Sequence, residues 1–306
     1  MHRAQRCGGR RPDFELQEND RAALPTMELG VVGPAAERRA HVSAVRPVRG
    51  GRAGGRAAGC QAPRVRPAEA GAAAGDRAVA VIADSPSLPR SEFQEALEIA
   101  ARFQFAVEVL QTREFDDQNY TTNPVNRCYF CKHALFSEME ALAESRGVDA
   151  LLYGENASDV GDHRPGAEAA RRFAVLAPLK EFGLTKAEIR THSRELGLPT
   201  SEKPEMACLS SRIPYGEGVT VEKLRRIEGA EAALRREGLE GARVRYHELS
   251  AGSLARVEVA PESFPLLLAP GVRERLIEAI GNLGFDQVTL DLKGYRRGSL
   301  NHGVVA

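Results

Sequence analysis

Residues 78–83, Ala-Val-Ala-Val-Ile-Ala, form an unbroken apolar run with no polar alternation. A strand of that kind is apolar on both faces, and only a sheet covered on both sides accepts it. The run ends at Asp84-Ser85-Pro86-Ser87-Leu88-Pro89, a polar turn at the strand's carboxyl end. Ser91 followed by Glu92 reads as the capped start of a helix reaching about residue 103, and residues 105–110 read as a second strand. Strand, helix, strand is half of a doubly wound sheet. The chain is therefore expected to be α/β with a parallel sheet, its ligand crevice lying beyond the carboxyl ends of the strands.

Downstream, residues 128–145 read as a helix with Leu135, Phe136, Met139 and Leu142 on one side, and residues 150–153 as a short strand. A polar loop follows, carrying Glu155, Asn156, Asp159, Asp162 and His163. Thr185 with Glu188 predicts a capped helix to about residue 196. A long loop from 199 to 218 holds Cys208, and a linker is expected near Gly218. Beyond it, helical periodicity over 221–236 and 272–280, with strands at 242–247, 254–259 and 287–292, predicts a small α+β domain whose sheet keeps one polar face. The expected units are thus 1–75, 76–218 and 219–306.

The first 75 residues are different in kind. They are rich in Arg, Gly, Ala and Pro and contain no lysine. No helical or strand period persists there, so the expectation is a poorly ordered segment with too little apolar area to offset chain entropy. A basic arm for nucleic acid is the alternative, weakened by the lack of aromatic residues for stacking. The whole chain of 306 residues is 42% hydrophobic and 27% charged, with a formal net charge of zero. That balance gives no global attraction to nucleic acid. No apolar run approaches the roughly 20 residues that cross a bilayer, and residues 1–9 lack the apolar core of a secretory signal. The expected location is cytoplasmic, in keeping with only five cysteines and no disulfide-like framework.

Three of those cysteines stand in two informative places: Arg127-Cys128-Tyr129-Phe130-Cys131-Lys132 and Ala207-Cys208-Leu209-Ser210-Ser211-Arg212. A C-x-x-C pair can present two thiolates to one metal group. Arg127, Lys132 and Arg212 would favour the thiolate forms. A third thiolate from Cys208 suits an iron–sulfur cluster with one open iron better than a four-ligand structural zinc. Reactive thiols without metal, and small buried side chains, are the other readings. Arg243, Arg245 and His247 alternate along one strand, and Arg256 and Glu258 share a face of the next. Together they make a basic patch with an embedded carboxylate, suited to a phosphate or dicarboxylate, or else an ordinary solvated sheet face. Glu155, Asn156, Asp159 and Asp162 are oxygen donors for magnesium or a nucleotide, or simple turn caps. Asp84 and Ser85 are placed to meet a ribose or base.

With Lys203-Pro204-Glu205-Met206, Ile213-Pro214-Tyr215-Gly216, Arg164-Pro165-Gly166 and Gly294-Tyr295-Arg296-Arg297-Gly298-Ser299 added, these motifs closely resemble the LarE family from about Gly75 to Asn301. These are ATP-dependent sacrificial sulfur transferases of the adenine nucleotide α-hydrolase (PP-loop ATP pyrophosphatase) superfamily. The resemblance implies a Rossmann-like (HUP) fold and Mg2+-ATP as co-substrate. The activity it implies is thiolation of the carboxylates of pyridinium-3,5-biscarboxylic acid mononucleotide, for the nickel-pincer nucleotide cofactor. It makes Cys208 the sulfur-bearing residue, and Cys128 and Cys131 its companions on a [4Fe–4S] cluster. It places Arg212, Arg243, Arg245 and Glu258 at or near the substrate phosphate and a homo-oligomer interface. The sulfur donor is not implied. tRNA thiolation and a non-catalytic cluster- or zinc-binding remnant are the alternative functions. One departure stands out: the superfamily's Ser-Gly-Gly-x-Asp-Ser loop is absent, and residues 41–52 occupy its place with His41-Val42-Ser43-Ala44-Val45-Arg46 and an Arg/Gly/Pro run. The biased composition there points to a disturbed reading frame.

Overall fold

The computed structural model describes residues 28–31, 78–160, 164–204, 206–296 and 299–300. Two three-stranded sheets organise them. The first has the order β1 (Glu28–Val31), β2 (Ala78–Asp84), β3 (Val107–Gln111), with β2 and β3 parallel as expected from the apolar run. Val79, Ala80, Val81 and Ile82 are all buried. Helix α1 (Arg90–Phe103) makes the crossover. Pro89, not Ser91, is its N-cap residue, and Gln104 ends it in the left-handed conformation. β1 corrects the reading of the first 75 residues: a strand lies there, antiparallel to β2, pairing Glu28 with Val81 and Val31 with Ala78. Four residues are too few to display a period, and the free edge of β2 supplies the hydrogen bonds that define the strand. The rest of that segment, the place of the missing phosphate loop included, lies outside the described residues.

Helix α2 (Arg127–Arg146) buries Leu135, Phe136 and Met139 against β2 and against α3 (Pro165–Arg172). The expected strand at 150–153 is reduced to a single parallel bridge, Leu152 to Leu176, with Leu176 N–H donating to Leu151 and Tyr153 N–H to Leu176. Helix α4 (Lys186–Glu195) starts with the expected Thr185–Glu188 capping box.

The second sheet, β4 (Arg243–Leu249), β5 (Gly252–Glu258) and β6 (Gln287–Leu290), is an antiparallel hairpin with β6 added parallel to β5. Helices α5 (Val221–Arg236) and α6 (Val272–Gly281) pack against it. Its core draws in Tyr120, Leu209, Ile213 and Val219 from the preceding loops. The polar face is largely withdrawn from solvent: Arg243, Arg245 and Glu258 are buried, and His247 and Arg256 are half-buried. The turn Leu209–Arg212 and the segment around Ser299 lie over that face, so its charges are paired inside the protein. No described helix is long and apolar enough to cross a membrane.

Candidate functional site

The turn Leu209–Arg212 begins at Cys208, which has extended backbone and lies where the two sheets meet. Leu209 N–H donates to Ser87 O at 2.8 Å, tying the cysteine's loop to the carboxyl end of β2. On the other side Tyr120 Oη and Ser210 Oγ are 2.7 Å apart, and Arg127 Nη1 donates to Ser210 O at 3.0 Å. Arg127 opens α2, so the bond that holds Ser210 also brings the first turn of α2, with Cys128 and Cys131, beside Cys208.

The electrostatics agree with this proximity. Burial, then the charges on Cys208 and Cys131, push the Tyr120 phenol far above its ordinary range. The Cys131 thiol is pushed well up, first by burial, then by Glu114 and by its companion thiols. Burial also raises Cys128, with Cys208 adding to it and Arg127 opposing. Cys128 is nevertheless exposed to solvent. Burial works against the Arg127 charge, and the thiols Cys208 and Cys128 outweigh it, so that guanidinium stays charged. Lys132 is desolvated to about 8, with Cys208 pulling the other way. Its stem fits closely over Gly166, where an added Cβ would stand 2.9 Å from Lys132 Cγ.

The donor set bears on which group such a site accepts. Among the described residues, no three His, Cys, Asp or Glu side chains converge on one point as a single metal ion requires. Cys128 and Cys131 share the first turns of α2, and Cys208 lies in the loop that Arg127 grips through Ser210 O. Glu114 is buried, takes the Ser85 hydroxyl on one oxygen, and leaves Oε2 without a hydrogen-bond partner next to Cys131. Three cysteine sulfurs are soft donors of the kind an iron–sulfur group takes, and binding it would require their protons to leave.

The oxygen-rich loop forms a neighbouring cluster. Asn156 and Asp159 make a capping box around the turn Ala157–Asp159, and both are buried, which is the turn-capping role. Asp159 also pairs with Arg164 at 2.6 Å and Lys186 at 3.0 Å; Glu155 takes Lys180 at 2.9 Å and the Tyr153 hydroxyl. Arg164 is the link to the thiols, since its charge also reaches Cys128. Asp162 and His163 lie outside the described residues. Asp84 is bound to Arg90 and Gln111, and the Arg90 guanidinium holds its carboxyl below the usual range. Ser85 and Ser87 share a 2.7 Å hydrogen bond.

The four residues expected near a substrate phosphate separate into two kinds. Arg243 is buried beneath Tyr295 and keeps one donor near Met206. Glu258, with no exposure, accepts Arg245 at 2.8 Å, Arg256 at 3.3 Å and Ser299 at 3.1 Å. Arg245 also donates to Ser211 O at 3.0 Å. Arg212 has no exposure at all and is paired with Glu231. Sequence reasoning noted Tyr120, Ser210 and Glu114 without giving them a role, and passed over Glu231. Glu231 reads as one more charge on a polar helix face, and only the partner 19 residues away distinguishes it.

No family model matches the chain. It is 44% identical over 227 residues to an uncharacterised protein of Synechocystis sp., covering 74% of this chain and 83% of the relative. An uncharacterised protein of Methanocaldococcus jannaschii is 28% identical over 174 residues, 57% of this chain and 66% of the relative. The pyridinium-3,5-bisthiocarboxylic acid mononucleotide synthase of Lactiplantibacillus plantarum is 30% identical over 226 residues, 74% of this chain and 80% of that enzyme. At that identity and coverage the chain belongs to the family of that synthase, the LarE family.

Proposed function

We propose that this chain is an ATP-dependent sulfur transferase that converts the carboxylates of pyridinium-3,5-biscarboxylic acid mononucleotide into thiocarboxylates. The observation that supports the reading is that Arg127, at the head of the helix bearing Cys128 and Cys131, donates to Ser210 O two residues from Cys208. The printed activity of the Lactiplantibacillus plantarum relative supplies the substrate class. A carboxylate oxygen is a poor leaving group. Attack of that oxygen on the α-phosphorus of Mg2+-bound ATP releases pyrophosphate and makes an acyl adenylate, and sulfur attack on the acyl carbon then releases AMP. In this reading Asp84 and Ser85, and Glu155, Asn156 and Asp159 with their lysines, face the nucleotide. Arg243, Arg245 and Glu258 shape the pocket for the substrate phosphate.

Cys128, Cys131 and Cys208 would hold a [4Fe–4S] cluster, which supplies an open iron able to carry the sulfide that is transferred. Around it, this chain's own residues do the remaining work. Arg127 and Lys132 hold positive charge against the anionic sulfur and the adenylate phosphate, and Tyr120 stays a neutral hydrogen-bonding phenol. The same reading makes residues 76–218 a HUP-like domain, residues 219–306 a substrate and assembly domain, and the chain a homo-oligomer.

Anaerobically purified chain, given ATP, Mg2+ and the pyridinium nucleotide, is expected to release pyrophosphate only when the nucleotide is present and to yield thiolated product. Iron at ~4 per chain, lost in Cys128→Ser, is expected of the cluster. Zinc or no metal, with Cys208 converted to dehydroalanine by loss of sulfur, would replace the cluster with a sacrificial thiol. Folded protein that neither exchanges pyrophosphate nor forms thiolated product overturns the function. Because the chain lacks Ser-Gly-Gly-x-Asp-Ser, pyrophosphate exchange is the most demanding part of that test.

A further inference from the structure

The backbone around Cys208 has no ladder of its own, and its carbonyls are held by arginine side chains from three elements. Arg212 Nη1 donates to Ala207 O at 2.7 Å and Cys208 O at 3.1 Å. Arg127, from α2, takes Ser210 O, and Arg245, from β4, takes Ser211 O, each at 3.0 Å. The Ser211 hydroxyl closes back on Cys208 O at 2.7 Å. Arg212 is the centre of this grip. Its opposite edge is bidentate to Glu231 of α5, Nε to Oε1 at 2.9 Å and Nη2 to Oε2 at 3.2 Å. Glu231 is itself buried and takes Val244 N–H at 3.1 Å, so α5, β4 and the thiol loop are locked through one carboxylate.

With no exposure and nitrogens bonded on both edges, this guanidinium has no free edge to turn toward a small molecule. A buried ion pair is a poor source of stability, because desolvation cancels much of the attraction and an apolar pair of similar volume often does as well. What the pair can supply, and apolar residues cannot, is direction: a planar fork fixes two carbonyls and a carboxylate at once. We infer that Arg212, braced by Glu231, is a positioning residue that sets where the Cys208 sulfur stands, and is not a ligand for the substrate phosphate. The inference rests on Cys208 being the residue that handles sulfur.

The test uses the full chain with Arg212→Lys, Arg212→Met and the double variant Arg212→Met/Glu231→Leu. Each is checked for folding by circular dichroism. Iodoacetamide labelling of metal-free protein is read by mass spectrometry as the ratio of Cys208 to Cys128. That ratio is expected to rise several-fold in all three, because the loop carbonyls lose their common anchor. In active preparations kcat is expected to fall on the order of 100-fold, the scale of a ~1 Å misplacement, with KM for the pyridinium nucleotide within about twofold. The double variant replaces the ion pair by apolar volume, so it is expected to fold even where Arg212→Met alone does not. An unchanged labelling ratio in any folded variant overturns the inference, as does a raised KM with kcat and labelling untouched. If the parent chain itself proves inactive, the proposed function fails, while the labelling ratio still decides the positioning.

Discussion

The two places that present thiols in this protein are built on opposite principles. Cys128 and Cys131 sit on the first turns of α2, where the helix's own backbone bonds fix their spacing and Leu135, Phe136 and Met139 hold the helix by packing. Cys208 sits on irregular backbone whose carbonyls are held by Arg127, Arg212 and Arg245. Packing is non-directional and forgiving, so the helix carries its cysteines wherever its apolar stripe comes to rest. Hydrogen bonds to charged donors are directional, so the loop cysteine is placed by geometry rather than by volume. The cysteines of the chain thus combine a coarse positioner with a fine one. Arg127 belongs to both, since it begins the helix and grips the loop.

Phe136→Ala gives the largest expected effect and is the strongest way to break this contrast. The ring is fully buried beneath β2, so its loss is expected to cost about 3–5 kcal/mol in urea unfolding. The Cys208 to Cys128 labelling ratio should nevertheless stay near the parent value in the fraction that is folded; a several-fold change would show that packing places the loop as well.

Tyr120→Phe sharpens the contrast from the other side. It removes the 2.7 Å partner of the fully buried Ser210 hydroxyl, at an expected cost of about 1–3 kcal/mol. Here the labelling ratio should move although less stability is lost than in Phe136→Ala. A ratio that stays still would remove Tyr120 from the grip.

Gly166→Ala probes the seam between α3 and α2. Its methyl would meet the Lys132 stem at 2.9 Å, and the expected cost is about 1 kcal/mol. Lys132 must shift, so its amine should react with an acylating reagent at a changed rate, read by peptide mass spectrometry. No change there would mean that the stem simply moves aside.

The smallest effect concerns pH. Burial, followed by the charges of Arg256 and Arg245, lowers the His247 pKa below its ordinary 6.5, against the opposing carboxylate of Glu258. Glu217 lies 3.9 Å from its Nδ1. The unfolded chain therefore takes up this proton first as pH falls, so His247 contributes stability that is complete above about pH 6.5 and is lost below it. In His247→Gln the urea midpoint should drop less between about pH 7.5 and about pH 5.5 than in the parent; an equal drop would mean that the imidazole's surroundings relax on protonation.

The legible parts of the chain were those whose cause is local. Residues 78–83 declared a buried parallel strand and Thr185 with Glu188 a helix start, because each pattern completes itself within a few positions. Reading failed where the cause was distant. Residues 150–153 look like a strand but keep one bridge, since the partner at Leu176 offers only a short stretch. The arginines of β4 look like a solvated face, yet they are buried because another part of the chain lies over them. The strand at 28–31 exists only because β2 has an open edge.

The linear order of side chains therefore determined the parallel pair of strands, the helices and the identity of the three thiols, all consequences of short-range periodicity and of residue chemistry. Which charges those thiols feel, which arginine faces solvent and which grips a carbonyl, was decided only by the tertiary structure. In the sequence Arg212 stands out only as a charge near a cysteine and Glu231 not at all; burial against each other is what only the tertiary structure supplies.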